Sequence, residues 1–187
     1  MAAYTEPPLT IADLDATPDD GNRYELIEGD IFVSSSPTIF HQSILTRILV
    51  AFALYLIKHP IGEIIPGLGI VFDDFNGVIP DLLFITNERK KRIVADGRLN
   101  AAPEIVIEIL SPGTVNARRD RHHKRQLYSV RGVSEYWIVD PETRSVELLR
   151  KRREGGLELV ANLQCGDELT SPLLPEFRLL IEPLFAE

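Results

Sequence analysis

The chain has one cysteine, Cys165, so an internal disulfide is excluded and a reducing compartment is its natural setting. It opens without a basic region followed by an apolar run; no secretory signal is therefore expected, and the cytoplasm is the expected location. Long hydrophobic runs are missing too. The longest, Ile48 to Ile57, falls short of the roughly 20 residues a bilayer span needs and is closed by Arg47 and Lys58, so it reads as a core helix with no membrane partner. Gly67-Leu68-Gly69 lacks the third glycine and the following helix of a dinucleotide fingerprint, which leaves only turn chemistry. Paired His or Cys at ligand spacing are absent, because His122 and His123 are adjacent and point apart on a helix; this argues against zinc. There is no repeat, no low-complexity segment and no linker long enough to divide the chain. One domain over residues 1–187 is expected, with a core at about 41–140, an N-terminal hairpin at 22–34 and a C-terminal extension at 144–187.

Positive charge is also short. A net charge of -8 argues against a protein that coats nucleic acid by bulk electrostatics. What basic charge there is falls in clusters: Arg89 to Arg92; Arg118, Arg119, Arg121, Lys124 and Arg125; and Arg150 to Arg153. These hold thirteen of the twenty Lys and Arg residues, enough for a local basic surface, although each cluster alone reads as a solvated loop or helix face.

Two apolar runs carry acids where none belong. Ile79 to Ile85 and Glu104 to Leu110 are rich in Ile, Leu, Val and Phe and bounded by turn residues, the pattern of strands buried on both faces. Alternation puts Asp81 on one face with Ile79, Leu83 and Ile85, and Glu108 with Val106 and Leu110. An ionised carboxylate is costly to bury without a partner, so the two acids suggest a shared cation site.

Around these runs the chain reads in order. Thr10 starts a short helix that the Pro18–Gly21 turn ends, and Arg23 to Ile27 pairs with Asp30 to Ser34 across Glu28-Gly29. On that hairpin Glu25 and Glu28 read as exposed acids. A long helix follows from about His41 to Lys58; its start disfavours a charged His41, which could then hydrogen-bond near a phosphate or carboxylate. Residues 61–72 form a bent extended segment, which turns at Asp73–Gly77 into a hairpin with the Asp81 strand. A basic loop leads to the Glu108 strand. A polar helix from about Ala117 to Arg131 aligns Asp120, Lys124 and Tyr128, with Leu127, Tyr128 and Val130 marking its buried face; an Asp120–Lys124 pair at the surface is the ordinary reading. Ser134 to Val139 forms another buried strand. Ser145 to Leu149 and Gly156 to Val160 form a hairpin, and residues 163–187 close the core irregularly.

This order of elements resembles the common core of the PD-(D/E)XK nuclease superfamily, and more closely the Uma-type restriction endonuclease family, once catalogued as a domain of unknown function. The matching pieces are Tyr24-Glu-Leu-Ile-Glu-Gly29, Pro37 with His41, Pro80-Asp81, Glu108-Ile-Leu-Ser-Pro112, Asp120 with Lys124 and Tyr128, Gly132 to Pro141, Gly166-Asp-Glu-Leu and Ser171-Pro-Leu-Leu-Pro. The resemblance implies an α+β fold: a restriction-endonuclease-like αβββαβ core whose mixed central sheet is flanked by helices, with β-hairpin additions at both ends. It implies phosphodiester hydrolysis in nucleic acid, DNA being the expected substrate, with Asp81, Glu108 and the Ile109 carbonyl holding Mg2+ or Mn2+. The superfamily's lysine two residues after the acid is replaced by Leu110, and the resemblance assigns its role to Lys124 on the neighbouring helix. His41, Glu25, Asp120 and Tyr128 are accessory candidates, and Arg118, Arg119, Arg121 and Arg125 are candidates for nucleic-acid binding. Two-strand cutting usually needs two sites, so a homodimer or higher homo-oligomer is expected, with residues 44–57 as a surface for it. Two rivals stand beside this reading: a nuclease fold that binds nucleic acid or protein and no longer cuts, and a metal-free hydrolase using the two acids as an acid–base pair.

Overall fold

The fold is seen in a computed structural model that describes residues 7–34, 36–95, 97–111 and 119–186. It is an α+β arrangement of two mixed six-stranded sheets, a C-terminal ribbon and few helices. The first sheet has the order β2-β1-β5-β4-β8-β7, from β1 (Arg23–Ile27), β2 (Asp30–Ser34), β4 (Ile70–Asp73), β5 (Asn76–Val78), β7 (Val94–Ala95) and β8 (Arg98–Leu99). The second has the order β12-β11-β10-β9-β6-β3, from β3 (Gly62–Pro66), β6 (Leu82–Thr86), β9 (Ile105–Ile109), β10 (Glu135–Asp140), β11 (Ser145–Lys151) and β12 (Leu157–Leu163). Among its described pairs β9 and β10 run parallel, and the connection between them carries the helical segment Arg119–Arg131.

The central strands β6, β9 and β10 of the second sheet are covered on both sides, which is why they read as continuous apolar runs. On one face Leu82, Phe84, Ile105, Ile107, Ile109 and Trp137 pack against α2 (Ile39–Lys58) and the C-terminal Phe177, Ile181 and Phe185. On the other, Leu83, Ile85, Val106, Tyr136 and Ile138 meet Ile27, Ile70 and Val78 of the first sheet and Leu127 and Tyr128 of the helix that precedes β10. The acid at position 108 falls on this second face by alternation, directed at the helix and not at α2.

Helix α2 begins where the Thr38 hydroxyl accepts from the His41 amide at 3.2 Å, and it ends ahead of Pro60. Its Ile44, Ile48, Phe52 and Tyr55 are buried, whereas Ile39, Val50, Leu54 and Ile57 lie exposed. By length and composition it could cross a membrane, a property the shorter apolar run within it did not suggest; here one side of it packs on the sheet.

Four expectations change. The strand after Asp73–Gly77 does not close the hairpin: β4 pairs with β5, and the chain then leaves the first sheet at Val78 and enters the second at Leu82, beside β3. The basic loop is partly helical, since the Thr86 hydroxyl caps α3 (Asn87–Ile93) by accepting from the Arg89 amide. Val130 is 77% exposed, because two helical steps turn it about 200° from Tyr128. Residues 163–187 are not irregular. They form the ribbon β13 (Glu168–Ser171) and β14 (Leu174–Leu180), in which Pro175 is tolerated because the pair has open edges, followed by a 3₁₀ turn at Glu182–Phe185.

Candidate active site

Four elements converge at the end of the second sheet where β6 and β9 part. Their ladder runs to Leu82 opposite Ile107. One residue earlier, Asp81 supplies the next bond with its side chain: Oδ2 accepts from the Ile109 amide at 2.8 Å, while its own carbonyl accepts from Gly67. Glu25 closes a comparable gap in the first sheet, its Oε1 accepting from the Ile79 amide at 2.8 Å. These contacts explain why acids sit in apolar strands.

Lys124 joins the two sheets. It ends a π-helical stretch, Arg119–Lys124, before α4 (Arg125–Arg131) continues to Gly132, whose φ of 90° forms the helix stop. Such a stretch widens the helix and often marks a functional position. Lys124 is 1% exposed, and its ammonium lies 2.8 Å from Glu108 Oε1 and 2.9 Å from Glu25 Oε1. Lys124 is thus a buried bridge between the sheets, and the pairing with Asp120 expected from the sequence lies outside the described residues. One turn on, the Tyr128 hydroxyl donates to the same Glu108 oxygen at 3.0 Å. Burial first, and then the charge of Glu108, push this phenol well above the usual 10, so Tyr128 stays a donor.

Asp81 is served from the other side. His41 Nε2 stands 3.2 Å from Oδ2, and Arg23 Nη1 donates to Oδ1 at 3.0 Å. Burial opposes the charge of Asp81, but the His41 bond and charge, the Ile109 amide and the Arg23 charge outweigh it and hold the carboxyl at about 2, below the ordinary 3.8. Arg23, Glu25, His41, Asp81, Glu108 and Lys124 all line one cavity of about 170 Å³, with Ile109 beside them.

The sequence-derived candidates Asp81, Glu108, Lys124, His41, Glu25 and Tyr128 are therefore brought together. Glu25 changes most: it is no exposed hairpin acid but 1% exposed and central. Arg118 lies outside the described residues, as do the side chains of Arg119, Asp120 and Arg121. Arg125 is exposed and donates to the Leu157 carbonyl. The other basic clusters are largely answered within the protein, through Arg89–Glu104, Lys90–Glu63, Arg92–Glu88, Arg150–Glu135 and Arg152–Glu158. Arg23 was missed. The signal was its place two residues before Glu25, which puts both on one strand face.

Among the described residues no three His, Cys, Asp or Glu side chains are grouped to hold a metal ion. Among its described residues the cavity thus offers no dedicated all-side-chain cage. It still fits a hydrated hard cation such as Mg2+, which takes one or two carboxylates and keeps several waters. Two observations support this fit: Asp81 and Glu108 share the cavity, and the guanidinium of Arg23 already lies in the combined field of Asp81, Glu108 and Glu25.

Fold and site together define an α+β protein with a buried carboxylate–lysine cluster between two mixed sheets. Residues 11–182 match the family model described as "Uma2: Putative restriction endonuclease", and the chain belongs to that family. Among solved structures it is similar to a "putative nuclease belonging to DUF820" from Anabaena variabilis, with a TM-score of 0.75 and 22% identity over 95% of this chain and 98% of that one. At this identity the likeness speaks for the fold. No curated protein matches the chain.

Proposed function

We propose that the protein is a metal-dependent endonuclease, built on a restriction-endonuclease-like core of α2, β3, β6, β9, α4 and β10, that hydrolyses phosphodiester bonds in DNA. The observation that carries this reading is the convergence of Asp81, Glu108, Glu25 and Lys124, all buried, on one cavity. A surface ion pair needs no such burial, and completing strand backbone bonds accounts for Asp81 and Glu25 but not for the buried Glu108 and Lys124 beside them.

Asp81 and Glu108, with the Ile109 carbonyl, would hold Mg2+ or Mn2+. Bound there, the cation supplies a Lewis acid for the scissile phosphate and lowers the pKa of a water. The chain's own groups do the rest. His41 and the Ile109 amide fix Asp81 in its ionised form. Tyr128 orients Glu108, and Lys124 is placed to position a water or to stabilise negative charge that develops on the phosphate.

A second reading has its own support. Arg23 on Asp81 and Lys124 on Glu108 supply cations from within the protein, as a retired nuclease that only binds would require. Calorimetry with Mg2+ and Mn2+, with plasmid nicking in the same buffers, separates the two. Wild type should bind and nick, and Asp81→Asn and Glu108→Gln should lose both properties. A wild type that binds no divalent cation overturns the enzyme reading in favour of the binding module.

A further inference from the structure

Two cations enter the carboxylate cavity, and they are held differently. Lys124 is 2% exposed in its side chain and fixed between two carboxylates. Arg23 is 34% exposed and donates to Oδ1 of Asp81 and, at 3.3 Å, to the Ile79 carbonyl. Burial works against the Arg23 charge, but Asp81, and then Glu108 and Glu25, raise its affinity for the proton. The guanidinium therefore sits in the field of all three acids, the place a small divalent cation would seek.

Arg23 also has somewhere to go. It lines a second, larger cleft of about 570 Å³, whose walls include Asp15, Asp19, Gly67, Gly69, Ile79 and Arg98. Gly67, Gly69 and Gly77 leave part of that wall without side chains, and Asp19 stands in it as a carboxylate that a guanidinium could meet. Turning there costs Arg23 two hydrogen bonds, whereas moving Lys124 would strip a cation from two buried acids.

We propose that Arg23 is the resident counter-ion of the carboxylate site and competes with the divalent cation, which binds only as the guanidinium leaves Asp81 for the neighbouring cleft. The inference rests on the metal-dependent reading above and adds to it an internal competitor. Such a competitor keeps the acids ionised and the fold intact without metal, and sets the free-cation concentration at which the site loads.

The test is Mn2+ binding by calorimetry at neutral pH on wild type, Arg23→Met and Asp81→Asn, each checked for folding by urea titration. Removing a competing unit charge at contact distance should tighten binding by at least about tenfold, even at a high effective dielectric constant. Folded Arg23→Met that binds as wild type does, or more weakly, overturns the proposal and leaves the metal site standing. If neither wild type nor Arg23→Met binds, the metal reading fails and takes the proposal with it. Should Arg23→Met not fold, wild type answers alone. Phenylglyoxal modification of Arg23, followed by mass spectrometry, should rise several-fold in saturating Mn2+, and an unchanged rate overturns the proposal.

Discussion

Asp81→Asn isolates one carboxylate charge while keeping shape and an oxygen for the Ile109 amide. The folded protein holds this carboxyl at about 2 against 3.8 for the ordinary group. A depressed acid contributes stability that is fully present above its unfolded value and lost as pH falls through its folded one. The difference corresponds to about 2 kcal/mol at neutral pH, at roughly 1.4 kcal/mol per unit. Between pH 5 and pH 2 most of it should vanish, because protonated Asp81 then resembles asparagine. Urea unfolding of both proteins at each pH is the assay. With a slope of about 2 kcal/mol per molar, the gap between their midpoints should close by about 1 M over that window. Parallel curves, with a constant gap from pH 5 to pH 2, would refute the argument that the surroundings of Asp81 stabilise its charge.

Lys124→Met removes the cation between Glu108 and Glu25 and should cost about 3–5 kcal/mol by urea denaturation, as is usual when one half of a buried pair is lost. Adding Glu108→Gln to that variant should recover part of the loss; a strictly additive double variant would show that the two groups are not coupled. Tyr128→Phe removes a buried donor to Glu108 and should cost about 1–3 kcal/mol. In wild type the Tyr128 phenol should not ionise in a spectroscopic titration until the protein unfolds, in keeping with its raised value.

Much of this arrangement could be read from residue order because burial leaves a plain mark. Acids at 81 and 108 within runs of Ile, Leu and Val have few explanations, and Lys124 lies one turn before the only bulky apolar residues of its helix. Glu25 was harder. Strand β1 alternates as an edge hairpin would, and nothing local says that a second sheet and Lys124 cover it. The same limit hid the parting of the sheets after Val78, since a turn followed by a strand looks alike whether that strand folds back or crosses over. The ribbon at 168–180 was obscured by Pro172 and Pro175, which mark loops in a broad sheet yet are harmless in a two-stranded one.

The bonds from the Ile79 and Ile109 amides to Glu25 and Asp81 have a consequence for how this chain can change over time. Both acids finish the backbone bonding of strands that separate from their neighbours, so folding alone is reason to retain them. A descendant that had given up hydrolysis would still be selected to keep a carboxylate or its amide at 25 and 81. Position 108, whose carboxylate is met by the side chains of Lys124 and Tyr128, is where lost activity would first be written into the sequence.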